Sequence, residues 1–270
     1  MTSTRNAWLF LQLLMALSLG GCDEPVAPAA PSASAVSAAA PVPPPKVAEP
    51  EAKPSAAAAS PKPKRRLEDC PKESTVSFDN PAIEAAVRLK LPKESGPITK
   101  ADLARLRSLN LSQVELSDLD VCLFTPMTGL KELFLGPGTY DDLSPIAGAK
   151  QLESLRASVN QVRDIKVLAG MKKLDRLDLG RTQVSDLTPL SELKALTELQ
   201  LDDTQIEDVS ALAKLENLEN LSIKRTKVKD VSSLKGLKKL KFLYVGGSPV
   251  DDEPMSLGAV RGNGTKVISD

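Results

Sequence analysis

Leu174-Asp175-Arg176-Leu177-Asp178-Leu179-Gly180-Arg181-Thr182-Gln183-Val184-Ser185-Asp186-Leu187-Thr188-Pro189-Leu190-Ser191-Glu192-Leu193-Lys194-Ala195 is one copy of a phrase that the chain repeats. Its apolar positions are Leu174, Leu177, Leu179, Val184, Leu187, Leu190 and Leu193. The opening leucine returns at Leu130, Leu152, Leu174, Leu196, Leu218 and Leu240, 22 residues apart each time. A fixed period of this size means stacked copies of one structural unit, because a unit this short cannot bury its own apolar side.

The phrase also says what the unit is. L-x-L is period-two alternation, so two leucines point to the same side of a short extended segment. The remaining residues must climb away and return, laying the next L-x-L beside the first as a parallel strand. L-x-x-L-x-L at the head of the period is the signature of a leucine-rich repeat. A buried leucine contributes roughly 1.5–3 kcal/mol, and about seven per repeat offset the cost of ordering the backbone only in a long stack. The predicted fold is an α/β repeat solenoid. It is a curved leucine-rich-repeat stack with short parallel strands on the concave side and short helical or 3-10 turns on the convex side. A helical N-terminal cap closes its start.

Composition narrows the chemistry. Basic and acidic residues balance at 35 each, which gives no electrostatic case for nucleic acid. The chain contains no histidine and three cysteines. Histidine general bases, nucleophile–histidine pairs and histidine metal sites are therefore excluded. No nucleophile elbow or phosphate loop is present, and neither a catalytic residue, a cofactor nor a metal is expected.

The first 21 residues read as an export signal: Arg5, then a mostly apolar run from Ala7 to Leu19 too short for a membrane span. The run ends in Leu19-Gly20-Gly21-Cys22, which resembles a bacterial lipobox, implying lipid attachment at Cys22. Residues 22–66 are rich in Pro, Ala and Ser and carry few large apolar side chains, the composition of a disordered tether. Such a tether reaches on the order of 130 Å extended, or closer to 40 Å as a coil. Lys62, Lys64, Arg65 and Arg66 end it with a basic run, read as a solvated linker.

Residues 67–105 form the predicted cap. Asn80-Pro81 opens a helix with a capping side chain and a proline at the first helical position, and Ile83, Ala86 and Val87 share one face. Thr99-Lys100-Ala101-Asp102 has the form of a capping box ahead of Leu103 and Leu106. Phe78-Asp79-Asn80-Pro81-Ala82-Ile83-Glu84-Ala85-Ala86-Val87-Arg88 followed by Ile98-Thr99-Lys100-Ala101-Asp102-Leu103 resembles the N-terminal cap of bacterial internalin-like proteins. The repeats are similar to the internalin-type unit as well, and the resemblance spans residues 75–252. It implies a scaffold whose partner-facing residues vary. The immunoglobulin-like domain and wall-sorting tail of the best-known members have no counterpart here, so host-cell invasion does not follow.

Repeats are assigned to residues 106–253 and a short C-terminal cap to residues 254–270, with Met255, Leu257 and Val260 in a last helical turn and Gly264 to Ile268 as a closing edge strand. The first repeat is two residues longer than the others, between Leu119 and Met127. Counted from Leu106, Cys122 falls where later repeats carry Leu190, Leu212 and Leu234, so it is expected to point inward near the cap. In an exported chain Cys70 and Cys122 are candidates for a disulfide; the other reading is two buried thiols.

An aspartate recurs at Asp118, Asp142, Asp164, Asp186, Asp208, Asp230 and Asp252. A short acceptor ahead of each turn can hold backbone N–H groups, a structural task that every repeat shares. The functional candidates are the residues that alternate with the inward leucines. They are Glu132, Phe134, Arg156, Arg176, Asp178, Glu198, Gln200, Asp202, Asn220, Lys224, Phe242 and Tyr244. Only six aromatics lie beyond the export signal, and Phe134, Phe242 and Tyr244 are three of them. Exposed aromatics beside charged groups make protein-binding hot spots, although Phe242 and Tyr244 placed under the C-terminal cap would be packing residues instead. The sequence reading is a non-enzymatic, lipid-anchored module that offers its concave face to an envelope or extracellular protein. Its location would be the periplasmic or cell-surface side of a bacterial envelope, with the membrane engaged through the lipidated N-terminus. The alternative is a surface adhesin whose aromatics stack on carbohydrate or wall polymer.

Overall fold

A computed structural model describes residues 65–93 and 95–269. The export signal, Cys22 and nearly all of the tether lie outside the described residues. The architecture is a curved leucine-rich-repeat solenoid. Eight three-residue strands lie side by side in chain order: β1 Ser108–Asn110, β2 Glu132–Phe134, β3 Ser154–Arg156, β4 Arg176–Asp178, β5 Glu198–Gln200, β6 Asn220–Ser222, β7 Phe242–Tyr244 and β8 Lys266–Ile268. Every adjacent pair is parallel.

The repeat pattern is the core. Leu177, Leu199 and Leu221 face one another across β4, β5 and β6 in register, and each is at most 2% exposed. Val184, Leu187, Leu190 and Leu193 complete the interior of the fourth rung and are equally buried. On the convex side the chain turns through 3-10 segments at Ser144–Ile146, Lys166–Gly170, Thr188–Leu190, Ser210–Lys214 and Ser232–Gly236.

Two polar ladders hold each rung in shape. The recurring aspartates meet the turns: Asp142, Asp164, Asp186, Asp208 and Asp230 accept the N–H two residues on at 2.7–2.8 Å. These bonds favour the ionised carboxylate, and the pKa values of Asp164, Asp186, Asp208 and Asp230 are lowered with the turn's hydrogen bonds as the leading cause. The second ladder is buried. Thr182, Thr204 and Thr226 donate their hydroxyls to Leu179, Leu201 and Ile223 carbonyls at 2.6–2.8 Å. Asn160 fills that place in its rung, donating to the Ala157 carbonyl and to the buried Tyr140 hydroxyl.

The N-terminal end is covered by α1 Pro81–Arg88 and α2 Lys100–Arg105. Asn80 accepts the Ala82 N–H, and Ile83 and Val87 turn inward. The Thr99–Asp102 capping box forms in both directions, and its hydrogen bonds hold the Asp102 carboxyl at a pKa of about 2. Arg65 reaches Asp79 and Asp120, tying the last residues ahead of the cap to the folded part.

One local expectation needs correction. Cys122 is half-buried rather than an inward residue of the first rung. The two extra residues turn the usual 3-10 segment into an α-helical turn, α3 Val121–Phe124, capped by Asp120. Phe124, whose carbonyl accepts the Met127 N–H, takes the place of Leu190, whose carbonyl accepts the Leu193 N–H. Cys122 bonds Cys70, with the Cα atoms 5.3 Å apart. At the other end, α4 Pro254–Arg261 buries Leu257 and Val260 but leaves Met255 91% exposed. Ser256, next to it, donates to Asp230 and accepts the Val231 N–H, docking α4 on the preceding turn.

Candidate interaction face

Strand alternation builds the site. Because the middle residue of β1 to β7 is a buried leucine, its two neighbours come out on the concave side. Register sets them in rows. One row runs Ser108, Glu132, Ser154, Arg176, Glu198, Asn220, Phe242 and Lys266; the other runs Asn110, Phe134, Arg156, Asp178, Gln200, Ser222, Tyr244 and Ile268. Asp202 and Lys224 follow β5 and β6 by one outward step. The concave candidates named from the sequence thus share one continuous face, while Cys70 and Cys122 lie apart from it near the cap.

Its middle is a charge mosaic. Arg156 Nε lies 3.1 Å from an Asp178 carboxylate oxygen and also donates to Ser158 Oγ at 3.2 Å. The other Asp178 oxygen accepts the Gly180 N–H at 2.9 Å. Burial nevertheless pushes the Asp178 pKa up, with these partners only partly opposing it. Among the described residues the buried Arg176 Nε has no hydrogen-bond partner. Asp202 is turned toward its own scaffold, accepting from Ser222 Oγ at 2.5 Å and from the Lys224 N–H at 2.9 Å.

The C-terminal end of the face is different. The Phe242 and Tyr244 rings stack with centroids 6.4 Å apart, and the Lys224 ammonium sits 5.2 Å from the Tyr244 ring centre. Phe242 is 36% exposed. These rings lie on the concave floor, whereas α4 packs against the convex turns at Ser232–Gly236 and Pro249–Asp252. Sequence reading sets Lys266 and Ile268 in the closing strand but leaves them out of the concave candidates; β8 adds them to the two rows beside Phe242 and Tyr244. The closing strand lacks L-x-x-L-x-L, so the repeat count stops one rung too soon; the alternation Lys266-Val267-Ile268 is the signal that extends it.

Along the adjoining rim, four non-glycine residues adopt positive φ: Val159 (62°), Arg181 (56°), Asp203 (56°) and Arg225 (51°). Arg225 grips Asp203 with two bonds of 2.6 Å, and Arg181 approaches the same carboxylate at 3.7 Å. Among the described residues no group of three or more His, Cys, Asp or Glu is placed to hold a metal, and no helix is long and apolar enough to cross a membrane.

A parallel sheet of leucine-centred rungs with 3-10 turns behind it defines a leucine-rich-repeat scaffold, the kind used for binding other proteins. The family described as leucine rich repeats (2 copies) matches residues 150–192. Internalin C2 of Listeria monocytogenes is similar in structure, with a TM-score of 0.59 and 30% sequence identity over 66% of this chain and 81% of that one. The chain belongs to the internalin-like leucine-rich-repeat proteins. A second Listeria monocytogenes internalin, inlF, shares the fold with a TM-score of 0.59 at 24% identity, over 66% of this chain and 54% of its own. A leucine-rich-repeat protein of Leptospira interrogans shares it with a TM-score of 0.50 at 20% identity, over 63% of this chain and 51% of its own. No curated protein sequence matches the chain.

Proposed function

We propose that the protein is a non-enzymatic, lipid-anchored binding module that presents its concave sheet to another protein of the cell envelope or extracellular space. One observation carries this reading. The inward positions of successive rungs are nearly uniform, while the outward rows change at every step and place aromatic, arginine and carboxylate groups on one accessible face. Variation confined to the solvent side is what a scaffold fitted to a partner requires. The Arg176 Nε, buried and without a partner among the described residues, supports it as a donor that a bound segment would satisfy.

The anchor half of the reading rests on Leu19-Gly20-Gly21-Cys22 and the Pro/Ala/Ser-rich stretch behind it, which would hold the solenoid on the periplasmic or cell-surface side of the membrane. A Cys22→Ser variant should lose labelling by a radioactive fatty acid and leave the membrane fraction. For the binding half, partner recovery by pull-down is compared between wild type and the combined Phe134→Ala, Arg176→Ala and Tyr244→Ala variant. Loss of a specific protein from the variant supports the reading. Unchanged recovery, or binding on a glycan array with no protein ligand, counts against it in favour of a carbohydrate adhesin.

A further inference from the structure

Resting on the proposed concave-face function, we infer that the C-terminal quarter of that face takes an acidic segment of the partner protein that carries one apolar or aromatic anchor. The outward rows of β2 to β5 mix signs, with Glu132, Arg156, Arg176, Asp178 and Glu198 among them. From β6 onward the two rows contain no carboxylate: they read Asn220 and Ser222, Phe242 and Tyr244, then Lys266 and Ile268. Lys224 lies just beyond β6, with its ammonium over the Tyr244 face. Asp202 at the boundary is engaged by Ser222 and the Lys224 backbone. Although the whole chain is neutral, the two outward rows from β6 onward hold a lysine and no carboxylate, with Lys224 next to them.

The apolar part has a defined shape. Phe242 and Tyr244 stack at 25° between planes, and register sets Ile268 beside Tyr244 and Lys266 beside Phe242. The result is a floor of two rings and one branched aliphatic chain, with an amine at either side. An apolar side chain seated on the floor removes the rings from water, and carboxylates flanking it in an extended segment come within reach of Lys224 and Lys266. Neutral sugar is a poorer fit: from β6 onward the two rows hold no carboxylate, and beside the Asn220 amide and the Ser222 hydroxyl the charged neighbours of the rings are the Lys224 and Lys266 amines.

The test uses the full chain and two fluorescent synthetic peptides. Each has one central tryptophan, flanked in one by aspartate and glutamate and in the other by lysine at the same positions. The acidic peptide should bind at least tenfold more tightly than the basic one and weaken as salt rises. Lys224→Glu with Lys266→Glu should reverse that preference, and Phe242→Ala should weaken the acidic peptide at least threefold. Unfolding midpoints of the variants within a few degrees of wild type show that the fold survives. Equal binding of both peptides, binding of neither, or affinity indifferent to Phe242→Ala would overturn the inference. So would equally tight binding to phosphatidylglycerol vesicles that the lysine substitutions abolish and Phe242→Ala does not touch. A photo-reactive phenylalanine analogue replacing Gln200 separates the two levels. If the peptides fail while that position still cross-links a protein on intact cells, this inference falls and the proposed function stands; if neither gives a signal, both fall.

Discussion

Leu199 and Glu198 are adjacent in β5, and the fold assigns them opposite fates. Leu199 is 1% exposed and lies between Leu177 and Leu221 in the inner row, whereas Glu198 is exposed between Arg176 and Asn220 on the concave side. Leu199→Ala removes a side chain packed on both neighbouring rungs and leaves a cavity that the interlocked leucines cannot collapse around. The cost is about 3 kcal/mol, within the usual ~2–5 kcal/mol for such truncations. For a folded part of roughly 200 residues this lowers the melting midpoint by roughly 6–12 °C. Glu198→Ala touches no interior contact and should stay within about 0.5 kcal/mol of wild type. Urea unfolding followed by circular dichroism measures both. Equal losses from the two substitutions, or a Leu199→Ala variant as stable as the parent, would refute the assignment of inner and outer rows on which the candidate face depends.

Further predictions follow from single features. Replacing Cys70 and Cys122 together by alanine opens a loop of 52 residues in sequence separation and should cost up to about 4 kcal/mol in the chain-entropy account. Guanidinium unfolding of reduced wild type should then match that of the double variant, which reductant leaves unchanged. Val159 is exposed, β-branched and at φ 62°, so Val159→Asn should stabilise by about 1 kcal/mol, seen as a higher urea midpoint; a lower midpoint would contradict the strain argument. At low pH the lowered aspartates act together. Their stabilisation is present above the unfolded carboxylate pKa near 3.8 and is lost as pH falls toward the Asp102 value of about 2, while raised Asp178 contributes with the opposite sign. Urea midpoints should therefore drop below pH 4. Burial pushes the Tyr140 phenol above its ordinary pKa of 10.0, so stability should also fall as pH rises past about 10, and Tyr140→Phe should flatten that arm relative to wild type.

Much of this structure was legible because repetition makes the same physical statement many times. Leu174, Leu177 and Leu179 alone are compatible with a helix or a strand; recurrence after a fixed interval removes the helix, since only a returning coil brings equivalent leucines side by side. Both caps were legible in part. Asn80-Pro81 and Thr99 to Asp102 are local hydrogen-bonding devices whose partners lie within three residues. Reading by counting failed where the count itself changes. The insertion after Leu119 displaces Cys122 from the inward place and hands it to Phe124, and the closing strand, though read as a strand, has no leucine repeat to carry Lys266 and Ile268 into the concave rows. Neither error is one of residue chemistry; both are errors of register, which is set by contacts with the neighbouring rung.

The concave rows are a different case, because folding leaves them nearly undetermined. Exchanging Glu198 or Gln200 for another polar residue alters stability by tenths of a kcal/mol, since substitutions of exposed residues away from special contacts stay within about 0.5 kcal/mol. A position the fold ignores is free to be set by something else, and its identity carries information only when solvent alone would not favour it. Glutamate and glutamine on an exposed strand satisfy solvent and so say little. Phe242 says more: its ring stacks on Tyr244 yet stays 36% exposed on the open floor, and the exposed part gains nothing from the folded chain. The buried Arg176 Nε is opposed in the same sense by the loss of water without a replacement acceptor. Where the isolated chain bears a cost that its own packing does not offset, the proposed complex would supply the compensation, and these two places are where its atoms should be sought first.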